Sequence, residues 1–574
     1  MATSDIIIRG GMVVDGTGAE PYQADVAIRD GVIAAVGHNL GSAREEIDAT
    51  GCIVTPGFVD IHTHYDGQAI WSDRMEPSSN HGVTTVVMGN CGVGFAPCRA
   101  EDHDLLITVM EGVEDIPGVV MNAGLSWNWE TFPEYLNEVD KRPQDIDVAA
   151  YLPHSPLRVY VMGKRGAERE EATAEDLAKM RAIAKEAIEA GALGCATSRV
   201  FIHRTSDGKY IPTYRSSEAE LQNLADGMTD AGGGIMQMVG NTPEDGWEHD
   251  VRMMERITTA SGRPFTFTMG AHTDSHDVMK VLREANDGGA KLTGQIFPRP
   301  VGMILAHNLS WNPFTFCPSF APLATLSDED RLVELRKPEV RARLVSEEAD
   351  LQIPLAKSTR DFTRMFPLGD PPNYEPTPED SVAARAAREG VDPFEWAYDY
   401  LLQNDGKAQL LLSLGNFVNG SLDLLREMMD HPNLIFGLGD GGAHYGLICD
   451  ASFPTHILTH WVRDRGRGLL PLSQAVETLT RRPAETVGLY DRGVLAPGYK
   501  ADVNVIDTVR LALHAPTAVR DLPGGGRRLM QKASGYRASI VSGRTISRDG
   551  VPTGDLPGRL VRGAQAAPVA MAAE

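Results

Sequence analysis

The sequence predicts an α/β protein, a (β/α)8 TIM-like barrel with a small β-sandwich domain formed by both chain ends. Two observations predict it. Short strand-like segments separated by glycine turns occupy both ends of the chain. Between them, eight apolar runs alternate with helical stretches, the pattern of parallel strands buried on both faces. A length of 574 residues agrees, being too long for one ordinary domain.

At the N-terminal end, residues 5–8, 12–15, 24–28 and 32–36 read as hairpin strands. The barrel strands fall at 58–61, 84–88, 148–152, 192–197, 234–239, 264–269, 291–297 and 434–438. Helices are expected at 173–190, where Thr173 and Asp176 form a capping signature, and at 217–231 and 277–287. The gap between the last two barrel strands exceeds any crossover and predicts a helical insertion over about 306–430, with helices near 328–348 and 378–403. Strand texture returns at 501–506, 536–541 and 544–546. The expected domains are therefore residues 1–55 and 486–562 for the β-sandwich and 56–485 for the barrel. An Ala-rich flexible tail, 563–574, follows.

Composition narrows the function. The apolar fraction of 42% and charged fraction of 23% are those of a folded globular protein. Against 78 acidic residues stand 54 basic ones, a net charge of −24 that argues against nucleic acid or an anionic membrane as partner. No membrane span or signal peptide is read. The six cysteines, Cys52, Cys91, Cys98, Cys195, Cys317 and Cys449, are scattered without paired spacing. They predict a reduced, cytoplasmic protein rather than a disulfide framework.

Three motifs carry chemistry. In Phe58-Val59-Asp60-Ile61-His62-Thr63-His64 an apolar strand runs into His-x-His. A side-chain period of two puts both imidazoles on one side, where they can hold a divalent metal at the barrel mouth. Asp440, in Leu438-Gly439-Asp440-Gly441-Gly442, ends the eighth strand, which adjoins the first in a closed barrel. Its carboxylate can bind the metal or shuttle a proton; the bland reading is a turn aspartate. Cys91, in Met88-Gly89-Asn90-Cys91-Gly92, ends the second strand. It reads as a thiolate ligand or as a small buried residue.

Together these motifs resemble the amidohydrolase superfamily, and within it the N-acyl-D-amino-acid deacylase (D-aminoacylase) branch. The resemblance continues in His154-Ser155-Pro156-Leu157-Arg158, in Glu189-Ala190-Gly191-Ala192-Leu193-Gly194 and in Arg492-Gly493-Val494-Leu495-Ala496-Pro497-Gly498. It implies zinc, His62, His64 and Cys91 as metal ligands, and Asp440 as ligand and catalytic acid/base. Two departures matter. Where the family carries metal-binding histidines on strands five and six, this chain has Gln237 and Met269; His272, three residues further on, substitutes for the second only if the strand or loop is shifted. One metal ion is therefore expected more than two. The family's carboxylate-binding lysine and arginine are also replaced, by Gly270-Ala271 and Cys449-Asp450-Ala451.

His154, Arg199, His203 and His444 are further candidates for substrate binding, each with a plain structural alternative; Arg204 is a reserve cation. Trp127, Trp129 and Trp311 are candidates for an apolar pocket wall. The leading expectation is a metal-dependent hydrolase of an amide or related C–N bond in a small molecule. The alternatives are hydrolysis of a cyclic amide, carbamate or ester, and a catalytically silent binding or structural protein on the same fold. A homo-oligomer is compatible with the sequence.

Overall fold

The computed structural model describes residues 4–351 and 354–569. At the N-terminal end are Ser4–Val13 (β1), Tyr22–Arg29 (β2), Val32–Gly37 (β3), Ala43–Asp48 (β4) and Ile53–Pro56 (β5). They share one nine-stranded sheet with Val503–Ile506, Tyr536–Val541, Arg544–Arg548 and Val551–Pro552 from the other end. The junction is the antiparallel pairing of β5 with Val503–Ile506, Val54 opposite Val505. Ile6, Ile8, Val26, Ile28, Val503 and Val505 recur at alternate positions and bury a core separate from that of the barrel.

The segments expected at 5–8 and 12–15 are one strand. Its register against β2 shifts between Ile8 and Gly11, where Gly10 takes φ 68°. Such a bulge uses the same left-handed glycine as a turn and so reads as one in sequence. β4 escaped the sequence pattern because Arg44, Glu45 and Glu46 crowd a short strand with charge.

The barrel strands are Phe58–Asp60 (β6), Val83–Met88 (β7), Asp147–Pro153 (β8), Gly194–Ser198 (β9), Ile235–Val239 (β10), Phe265–Thr268 (β11) and Leu292–Ile296 (β12). An excursion follows, containing Val301–Leu305 (β13), Met365–Pro367 (β14) and Leu410–Gly415 (β15). Leu434–Phe436 (β16) completes an eight-stranded parallel sheet in the order β16-β12-β11-β10-β9-β8-β7-β6. Each strand expected for the barrel is present in its expected order. β6 and β16 are joined just beyond their ends: Asp440 N donates to His62 O (3.1 Å) and His64 N to Gly441 O (2.8 Å). The ring thus closes at the mouth where the motifs lie.

Helices pack outside the strands. Ala174–Ala190 opens with the reciprocal Thr173–Asp176 capping box, Ser217 caps Glu218–Asp230, and Ser275–Asp287 precedes β12. The excursion expected to be helical over 306–430 also holds a three-stranded antiparallel sheet, β13-β15-β14, beside helices such as Asp328–Leu335 and Pro393–Leu401. It leaves the barrel directly after β12. Ile304 N donates to Leu447 O (2.7 Å) and Ser310 N to Gly446 O (3.1 Å), so the excursion is fixed to the loop after β16.

At the opposite end of the barrel, buried Asp147 at the start of β8 meets Arg492 (2.7 Å) and Lys500 (3.2 Å) from the returning chain. Beyond the sheet, Val561 N donates to Val148 O and Gln565 N to Gly488 O. The expected tail is therefore hydrogen-bonded at its start, while residues 570–574 lie outside those described. No helix among the described residues is long and apolar enough to cross a membrane. All six cysteines are free and buried.

Candidate metal centre

The chain stays extended past β6, so His62 and His64 share a side and are each 1% exposed. His62 Nδ1 lies 2.7 Å from Gln295 Oε1, an acceptor that requires the ring proton on Nδ1 and leaves the Nε2 lone pair for the mouth. Gln295 is itself fixed through Nε2 to Thr266 Oγ1 (3.1 Å). Cys91 adopts φ 56° in the turn after β7. Its neighbour Gly92 has φ 65°, and a Cβ there would fall 2.6 Å from Thr197 Cα, so only glycine lets the turn pack against β9. The turn brings Cys91 Sγ to 3.4 Å from His62 Nε2 and 3.9 Å from His64 Nε2. Asp440 Oδ1 is 3.6 Å and 3.5 Å from the same two nitrogens.

Two imidazole nitrogens and one sulfur thus converge, a donor set that fits a transition-metal ion, with the Asp440 carboxylate next to the imidazoles. Burial pushes His62 down to about 4 and His64 to about 3, so both rings are neutral and available as ligands near pH 7. Burial pushes the Cys91 thiol well up, and the carboxylates of Glu114, Asp440 and Asp66 push the same way. No neighbouring side chain favours the thiolate; the proton leaves readily only where a metal cation meets the sulfur.

The backbone around these donors is strained. Cys91, Leu438, Asp440 and His444 are all non-glycine residues at φ between 46° and 63°. Left-handed conformations of this kind cost roughly 1–3 kcal/mol each and persist where tertiary contacts over-determine them. Gly439 beside them has no alternative, since a Cβ would lie 1.9 Å from Asp60 Oδ2.

A cavity of about 170 Å³ opens over the centre. Its polar wall is His62, His64, Cys91, Glu114, His203, Asp440, His444 and Asp450; its apolar wall is Val239, Phe297, Leu438 and Val301, the last from the excursion. His203 and His444, both candidates from sequence, are therefore at the site. His203 is held by Ser198 Oγ on its Nδ1 (2.9 Å). Burial pushes its ring down to about 3 and that of His444 to about 4.

Other candidates lie elsewhere. His154 is buried between Thr197 Oγ1 (2.9 Å) and Glu220 Oε1 (2.7 Å), in a network with Arg158, and does not line the cavity. Arg199 donates to Ser216 O and pairs with Asp250 (3.2 Å), so it braces the loops after β9 and β10 rather than facing substrate. Arg204 stacks on Tyr210. His272 is exposed and does not replace a strand-six ligand; Met269 is in the barrel core, and Thr268 takes the cavity wall beside it. Trp127 stacks on His103, Trp129 donates to Phe95 O, and Trp311 packs on Phe316, all away from the cavity wall.

Gln237 has a role that its position alone did not reveal. Its Oε1 accepts from Cys91 N (3.1 Å), so it supports a ligand in place of being one. Three functional groups were missed in the sequence. Gln295 orients His62 from strand seven. Glu114 ends the helix His103–Glu114 and faces both His64 and His444. The sequence signal for Glu114 was an acid pair, Glu114-Asp115, at a helix C-terminus, where the helix dipole disfavours negative charge. Arg299, fully buried after β12, binds Asp450 (2.8 Å) and so neutralises a carboxylate of the cavity wall. Burial pushes Asp450 up to about 7, with Arg299 opposing and Asp440 adding to the rise.

Comparisons with known proteins agree with this architecture. The model of the amidohydrolase family matches residues 45–547. The chain is 26% identical over 561 residues to the D-aminoacylase of Alcaligenes xylosoxydans xylosoxydans, covering 97% of each chain. It is 27% identical over 578 residues to the N-acyl-D-aspartate deacylase of the same organism, covering 99% of this chain and 97% of that one. Among solved structures, a D-aminoacylase described for its binuclear metal centre, with one-metal activation and second-metal attenuation, superposes with a TM-score of 0.64 at 25% identity. That match covers 97% of this chain and all of the other.

Proposed function

We propose, from the premise that the chain belongs to the amidohydrolase family, that it is a metal-dependent hydrolase of an amide or related C–N bond in a small molecule, similar to the N-acyl-amino-acid deacylases. The observation that carries this reading is the convergence of His62, His64 and Cys91 ligand atoms at the barrel mouth, with Asp440 Oδ1 beside both imidazoles. His62, His64 and Cys91 would hold one zinc ion, with Asp440 beside it. The chemistry that zinc supplies there is polarisation of the substrate carbonyl and a lowered water pKa.

The protein's own groups do the rest. Asp440 takes a proton from the attacking water and returns it to the departing nitrogen. The imidazoles of His203 and His444, neutral in this setting, offer hydrogen bonds to substrate from across the cavity. Gln237 and Thr268, in place of the two further histidines, favour a single ion over a tight pair. The cavity wall carries three carboxylates and no lysine or arginine among the described residues. A free α-carboxylate would enter it unpaired, at a high desolvation cost. The preferred substrate is therefore an acylated amine without a free carboxylate beside the scissile bond.

Elemental analysis with zinc titration tests the centre. About one equivalent per chain is expected, falling sharply in His62→Ala and His64→Ala. Protein that is metal-free and takes up no zinc would overturn the reading.

A further inference from the structure

We infer that Glu114 is a positioning residue: its carboxylate bridges His64 and His444, fixing a metal ligand and a cavity-facing imidazole as one unit. This rests on the metal reading above. The side chain of Glu114 is 1% exposed. Oε1 lies 3.4 Å from His64 Nδ1 and Oε2 3.5 Å from His444 Nε2. Neither oxygen has a hydrogen-bond partner, and neither has His64 Nδ1. Buried acceptors left unmade cost about 1–3 kcal/mol each, more when charged. The groups placed to complete them are the two imidazole N–H donors, each within a few tenths of an ångström of bonding distance.

The surrounding backbone holds the bridge in place. His444 N donates to Glu114 O, and Asp115 Oδ2 accepts from Gly446 N (3.0 Å) and from Ser310 Oγ (3.0 Å). The helix end, the loop after β16 and the excursion therefore meet at these two acids. With its proton on Nδ1 toward Glu114, His64 presents Nε2 to Cys91 Sγ and Asp440 Oδ1. With its proton on Nε2 toward the other oxygen, His444 keeps Nδ1 as an acceptor for a substrate N–H.

The test is zinc affinity, measured by chelator competition on the full chain, for wild type, Glu114→Gln and Glu114→Asp. Circular dichroism and thermal unfolding are recorded with and without EDTA. Glu114→Gln keeps the shape and replaces one of the two acceptor oxygens by an amide nitrogen that can only donate. It is expected to bind zinc 10–100-fold more weakly while keeping the wild-type spectrum. Glu114→Asp, which keeps the carboxyl on a shorter arm, is expected to fall between the two. Zinc should raise the melting temperature of wild type by more than that of Glu114→Gln. A purely structural role would instead lower the EDTA melting temperature and leave zinc affinity within twofold of wild type, which overturns the inference. Wild-type protein that binds no zinc overturns the metal reading and this inference with it, whereas tight wild-type binding matched by Glu114→Gln overturns the inference alone.

Discussion

Asp440 is held at φ 46° with Oδ1 equidistant, to within 0.1 Å, from His62 and His64 Nε2, a position suited to taking a proton from water at the centre. Asp440→Asn retains an oxygen but cannot accept the proton. Turnover is expected to fall by roughly 10²–10⁴-fold, far more than substrate affinity changes, with the fold intact. Steady-state kinetics with circular dichroism checks this, and near wild-type kcat would reduce Asp440 to a turn residue. Cys91→Ser is expected to weaken zinc binding more than it lowers metal-free stability. A hydroxyl is a poorer zinc ligand than a thiolate, and the turn built by Gly89 and Gly92 does not depend on the sulfur. Equal zinc affinity in serine variant and wild type would remove Cys91 from the ligand set.

At the scale of elements, every barrel strand except β8 carries a residue of the cavity wall on it or in the loop that follows. The weakest link by charge is at the other end, where Asp147 of β8 is buried between Arg492 and Lys500. Those cations hold its carboxyl below the usual range against the opposing effect of burial. Asp147→Asn removes the carboxylate that the two cations share and leaves Arg492 with Asp491 and Lys500 with Asp502. It is expected to cost about 3 kcal/mol in denaturant unfolding while leaving zinc affinity unchanged, because the site lies across the barrel. A loss of zinc affinity in that variant would show that the two ends of β8 are coupled.

For the whole molecule, buried neutral histidines lower stability in acid. Burial pushes His81 down to about 4 and His307 to about 3. Between the ordinary histidine value near 6.5 and those values, the unfolded chain binds protons that the folded one refuses, so stability falls as pH falls through this window. Buried acids such as Asp60 and Asp66, pushed up to about 8 and about 7, act in the opposite sense, so the test is by difference. A step from pH 7 to pH 5 is expected to be less unfavourable to the urea midpoint of His307→Gln than to that of wild type, and an identical response would mean that this ring accepts its proton within the fold. The charge of −24 and the acidic cavity wall act in the same sense on substrates. N-acyl-D-amino acids are expected to be hydrolysed more slowly than their carboxamides or esters in a side-by-side panel. A strong preference for the free acids would show that the pocket recruits a cation for the substrate carboxylate and would overturn this expectation.

The sequence by itself determined the barrel, because parallel strands buried on both faces must be apolar runs, and their order follows from the chain. It determined His62 and His64 as a pair, since a period of two is a property of any extended segment. Asp440 followed once the barrel was assumed closed. The tertiary structure alone decided which other polar residues join them. His154 and Arg199 sit after barrel strands, as His203 does, yet only His203 turns into the cavity, because Glu220 and Asp250 hold the other two. Glu114 reaches the centre from a helix end 50 residues beyond His64, and Gln295 reaches His62 across 233 residues. No local spacing encodes such meetings; they are made by loop paths and by packing at the closed end of the ring, which are properties of the folded chain.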